Sequence, residues 1–139
     1  MKNKSLITNA FRFWIVTMLI VSFVSCSHKI SFLQSSVAPA ARGYITVNDD
    51  KNKNYVIKVE LMYLAEANRM NPPKKTYVVW MESNNNPTQN IGQIITSSKL
   101  KVSFETVSST KPTKIFITAE NDPTVQNPTS EVVLATDSF

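Results

Sequence analysis

Two glycines, one cysteine and one histidine in 139 residues set firm limits on the chemistry available to this chain. A phosphate cradle needs clustered glycines whose backbone N–H groups approach the ligand, and two isolated glycines do not make one. A single cysteine leaves no partner for an internal disulfide. A zinc site needs three or four converging Cys, His or acidic ligands. Cys26 and His28, two residues apart in "VSFVSCSHK", have no others of their kind to complete a set. Nor does that pair suit nucleophile and base, because neighbours at i and i+2 in a polar segment have nothing to hold them in register. G-x-S-x-G and H-E-x-x-H are missing as well. Asp49 and Asp50 are adjacent in a polar turn, not opposed across a cleft as glycoside chemistry requires. The turn "NDDKNKN" lacks the glycine and closing glutamate of a calcium loop. The sequence therefore predicts no catalytic residue, no metal and no cofactor.

Charge is equally thin. Charged residues make up 18% of the chain, and the formal net charge is +5. Three of the 15 basic residues, Lys2, Lys4 and Arg12, precede a greasy run; the rest exceed the 10 acidic residues by only two. No basic stripe of the kind a nucleic-acid binder needs is present, and nucleic acid is not an expected partner.

The N-terminal residues do carry a pattern. A basic flank is followed by "FWIVTMLIVSFV" (Phe13–Val24), which has no charge, and then by Ser25–Cys26. This is the order of a secretory signal. The run is shorter than the roughly 20 apolar residues that cross a bilayer. "APA" at Ala38–Ala40 would suit a conventional signal peptidase but lies too far downstream. "FVSC" resembles the bacterial lipobox, with Phe23 where leucine is usual. The resemblance implies diacylglyceration (palmitate is a typical chain) of the Cys26 thiol and cleavage before it. Residues 1–25 are thus expected to be a lipoprotein signal peptide. The expected location is the cell envelope, lipid-anchored, on the periplasmic side of the inner or outer membrane. The plainer alternative for Cys26 is a buried or incidental thiol.

Residues 26–41 carry Ser, Ala and Pro without periodicity and read as a flexible lipidated tether. From Arg42 to Phe139 the pattern is β. In "YVIKVELMYL" (Tyr55–Leu64), Ile57, Val59, Leu61 and Tyr63 alternate with Lys58 and Glu60. "KLKVSFETV" (Lys99–Val107) alternates in the same way, with Leu100, Val102 and Phe104 inward. "TYVVWMES" (Thr76–Ser83) is apolar on both faces and belongs in the middle of a sheet. "GYITV", "IGQIIT", "TKIFITAE" and "EVVLAT" complete seven short strands separated by Asn/Pro/Ser turns. The prediction for residues 42–139 is an all-β, antiparallel, immunoglobulin-like sandwich, although the Cys…Trp…Cys set of that fold is absent.

Two clusters are candidates for binding. Trp80, with Tyr77 and Met81, is either a contact patch or core; a mid-strand position favours core. Arg69, Lys74 and Lys75, around "NPPKK", put three cations on one loop, suited either to solvent or to an anionic or protein partner.

"TYVVWMESNNNPTQNIGQI" followed by "KIFITAENDPTVQNPTSEVVLAT" resembles the extracytoplasmic C-terminal domain of the anti-sigma-K factor family. The residues that carry the resemblance are Tyr77, Trp80, Gly92, Thr118, Glu120, Pro123, Pro128 and Val132–Leu134. It spans Thr76–Thr136 and implies a β-domain without assigning any residue a functional role. The sigma-binding region of that family has no counterpart here, so the expectation is its sensory-side sandwich carried on a lipid anchor. That leaves an interaction or sensing module of the envelope, or else a structural lipoprotein or small-ligand carrier.

Overall fold

A computed structural model describes residues 28–96 and 100–139. Cys26 and the expected signal peptide lie outside these residues. Two antiparallel four-stranded sheets face each other. The first has the order β1-β2-β3-β6, where β1 is Lys29–Ser31, β2 Arg42–Asp49, β3 Tyr55–Met62 and β6 Lys101–Ser108. The second has the order β5-β4-β7-β8, where β4 is Thr76–Ser83, β5 Asn86–Ile94, β7 Pro112–Glu120 and β8 Val132–Ala135. Taking β3 as strand B of an immunoglobulin-like sandwich makes β4, β6, β7 and β8 strands C, E, F and G. B then neighbours E, and C–F–G run side by side, as that fold requires. The expected sandwich is therefore what the chain forms.

Alternation builds the space between the sheets. Ile45, Ile57, Val59 and Leu61 from the first sheet meet Tyr77, Val79, Met81, Ile115 and Ile117 from the second, all fully buried or within 1% of it. β4 is buried along both faces, as its apolar sequence predicts. Its second face makes a smaller core of its own. There Val78, Trp80 and Phe116 pack under Val125 and Ala135.

Several expectations need correction. From Lys29 on, the expected tether is not one: Lys29–Ser31 pairs with Tyr44–Thr46 of β2, which makes eight strands among the described residues rather than seven. Phe32 bridges to Thr136 and is 9% exposed, Ala41 is buried, and Val37 and Ala38 pack on the main core. Residues 29–41 thus belong to the sandwich, because burial of Ile30, Phe32 and Ala41 outweighs the freedom of a polar-looking segment. β5 begins at Asn86, five residues earlier than its apolar pattern suggested. An edge strand tolerates Pro87 and polar side chains that a central strand would reject. Tyr63 and Leu100, expected to face inward, are 51% and 68% exposed. The chain leaves the ladder at Tyr63, whose φ is +58°.

The strand ends define two poles. Arg42, Met62, Lys101, Thr76 and Glu120 mark the loop pole, where residues 33–41, 63–75 and 121–131 gather. Asp49, Tyr55, Ser83, Ser108 and Pro112 mark the turn pole. There Asp50 accepts hydrogen bonds from the N–H groups of Asn52 and Asn54 and from Asn54 Nδ2. The Asn54 bonds hold its carboxyl below the ordinary value. That carboxylate is occupied in closing its own turn.

Candidate interaction surface

The loop pole collects most of the side chains with something to offer a ligand. After β3, Tyr63 turns outward while its N–H still donates to the Leu100 carbonyl at 2.8 Å. A bulky residue in the left-handed region is uncommon and costs about 1–3 kcal/mol unless its surroundings enforce it. Arg42 lies over the exposed Tyr63 ring, 5.6 Å from its centroid. One 3₁₀ turn, Ala67–Arg69, follows; Ala67 is buried and its carbonyl accepts from the Met70 and Lys74 N–H groups. These bonds fix the loop that carries the cations.

A hollow of about 600 Å³ opens beside that turn, lined by Tyr63, Arg69, Met70, Asn71 and Glu131 and by residues 36–41. It shares Val37, Met70, Asn71 and Glu131 with a second hollow of about 190 Å³ that reaches Lys74 and Thr129. The two lie side by side. A third concavity, about 390 Å³, lies between the 3₁₀ turn, Lys74, Lys75 and Ile95. Ile95 is 74% exposed. The pole therefore presents Tyr63, Leu100 and Ile95 as apolar contacts, with Arg42, Arg69 and Lys75 among them.

The sequence-derived candidates divide in two. Arg69, Lys74 and Lys75 all lie at the loop pole but not on one hollow: Arg69, loosely paired to Glu66 at 3.6 Å, lines the hollow of about 600 Å³, and Lys74 and Lys75 line the third concavity. Tyr77 and Trp80 are not surface contacts, because both are fully buried. Tyr77 faces the main core and donates its hydroxyl to the Ala65 carbonyl at 3.0 Å. Burial pushes its pKa up to about 12. Trp80 Nε1 donates to Thr118 Oγ1 at 2.8 Å, and Thr118 donates to Glu120 Oε1 at 2.7 Å. Glu120 also accepts from the Thr129 N–H and hydroxyl and from Ser130. Burial alone would raise its pKa, but the hydrogen bonds from Thr129 and Thr118 outweigh that and hold it low. This carboxylate fastens the 121–130 loop over the indole. Asn90 Nδ2 helps, donating to the carbonyls of Pro123 and Val125. Trp80, Thr118, Glu120 and Pro123 thus form one structural clasp.

Tyr63, Arg42 and Glu131 were not singled out from the sequence. The signal for Tyr63 is a period-two run that continues past the point where the backbone turns, and Arg42 and Glu131 stand in no such run. His28 is exposed. Among the described residues, no three Cys, His, Asp or Glu side chains gather as a metal site would need, and no helix is long and apolar enough to cross a membrane. Comparison with protein-family models, with curated proteins and with solved structures finds no match.

Proposed function

We propose that this chain is a lipid-anchored protein of the cell envelope whose sandwich is a non-catalytic interaction or sensing module, with the loop pole as its contact surface. The observation that carries the contact reading is the half-exposed Tyr63, held in a left-handed conformation beside the hollow and flanked by Arg42 and Arg69. Exposed aromatic and arginine side chains are the residues most often responsible for partner affinity. The basic–apolar–Ser25–Cys26 order supports the anchor. Two or more acyl chains hold a protein durably on a bilayer, where one does not. The anti-sigma-K resemblance supports a sensing role through its likeness to an extracytoplasmic domain.

A second reading rests on the hollow itself. At about 600 Å³ it falls within the range of small-molecule sites, roughly 300–1,000 Å³, which suits a small-ligand carrier.

Affinity purification from detergent-solubilised envelope, repeated with Tyr63→Ala and Arg69→Ala, tests both readings. A stoichiometric protein partner lost in the variants supports the module. A co-purifying small molecule supports the carrier. Retention of every bound species by both variants overturns the loop pole as the site. Intact-mass measurement of the purified protein tests acylation at Cys26, and Cys26→Ala should leave the precursor uncleaved.

A further inference from the structure

We infer that β1 is a mount that fixes how the domain stands on the membrane: the turn pole rests against the lipid and the loop pole faces away. This rests on the lipid-anchor reading above. Lys29 pairs with Thr46 and Ser31 with Tyr44, so the chain enters β1 from the side of the turn pole and runs toward the loop pole. Phe32 then donates its N–H to the Gly43 carbonyl, and Leu33 to that of Ala135, which stitches the entering segment to both sheets.

Cys26 lies three positions before Lys29, and three residues span at most about 11 Å whatever their conformation. The distance from Thr46 to the end of β2 at Asp49 is about 10 Å in a strand. In the opposite direction, Arg42 is about 13 Å from Thr46, and the hollow lies beyond it. Cys26 can therefore reach the level of Asp49, where the Asp50–Asn54 turn begins, whereas even a fully reversed segment stops short of Arg42 at the loop pole. The occupant of the turn pole is the bilayer into which that acyl group inserts. Exposed Lys51 and Lys53 sit on the turn that would meet it. The consequence is directional: Tyr63, Arg69 and the hollow are displayed toward partners free in the periplasm, not toward the host bilayer.

The test uses the full chain, exported and acylated in a bacterial host, then reconstituted into phosphatidylcholine vesicles. Because acylation consumes the only native thiol, Asn52→Cys and Asn68→Cys each provide a unique labelling position, one per pole. A fluorophore at either position is read against a lipid-borne quencher. Quenching several-fold stronger at position 52 is the expected result. Equal quenching, or stronger quenching at position 68, overturns the mount. Inserting about ten Gly/Ser residues after Ser27, with an r.m.s. span of about 17 Å, should erase the contrast without touching the fold. A contrast that survives the insertion also overturns it. Protein of unacylated mass that does not float with vesicles instead removes the anchor reading, and the mount with it.

Discussion

Trp80 and Phe116, directly opposite each other on β4 and β7, stack with centroids 6.2 Å apart and planes 15° from parallel, on the face of the sheet that points away from the main core. A sandwich of this size ordinarily leaves such a face to solvent. Here the 121–130 loop covers it, held down by the buried Glu120 carboxylate and by Asn90.

Trp80→Ala should cost about 3–5 kcal/mol, since it removes a large buried ring. Small domains hold only about 5–15 kcal/mol in total, so the variant should be barely folded. Thermal melts of wild type and variant check this; melting points within a couple of degrees would contradict the burial of the ring.

Glu120→Ala should release the loop without collapsing the main core. It leaves Thr118 and Thr129 without their acceptor, at about 1–3 kcal/mol. The expected signature is accelerated proteolytic cleavage within Asn121–Ser130, with the cleaved chain still folded.

Phe32→Ala should destabilise by about 3 kcal/mol, although the residue lies in a stretch whose composition suggests a linker. A chain starting at Arg42 should unfold at lower urea concentration than one starting at His28. Equal midpoints would show that β1 and Phe32 contribute nothing.

Glu60 gives a prediction on acid stability. Hydrogen bonds from Lys101 and then from Tyr44 bring its pKa down from 4.5 to about 2. A carboxylate lowered on folding stabilises above its unfolded pKa and loses that contribution as pH falls through the folded one. Stability should therefore decline between about pH 4.5 and pH 2. Glu60→Gln should flatten that part of the profile, as read by denaturation at a series of pH values.

Gly92→Ala should cost at least about 2 kcal/mol. The backbone there has a φ of +142°, and an added Cβ would sit 2.7 Å from the Phe104 ring. Chemical denaturation of the variant measures the loss.

Legibility in the sequence followed the strength of the local pattern. Ile57, Val59 and Leu61 alternate against charged neighbours, and their burial was plain from spacing alone. The doubly apolar β4 likewise announced a central strand. β1 did not, because three residues are too few to show a period and the pairing partner that stabilises them is Tyr44–Thr46. The first half of β5 stayed hidden because an edge strand can be polar throughout. The three loop cations were legible because they are close in sequence. Tyr63, Arg42 and Glu131 were not, because only the meeting of β2, β3 and β8 at one pole puts them side by side.

The stitching of residues 29–33 to both sheets has a mechanical side. A pull on the N-terminal segment runs along β1 and is shared at once by β2, through the pairs at Tyr44–Thr46, and by β8, through Leu33 and the Phe32–Thr136 bridge. Several hydrogen bonds must then break together in shear instead of one after another like a zipper. Tension entering along β1 is shared by both sheets, so a load reaching the domain through the proposed anchor would draw on β2 and β8 together and not on one strand alone.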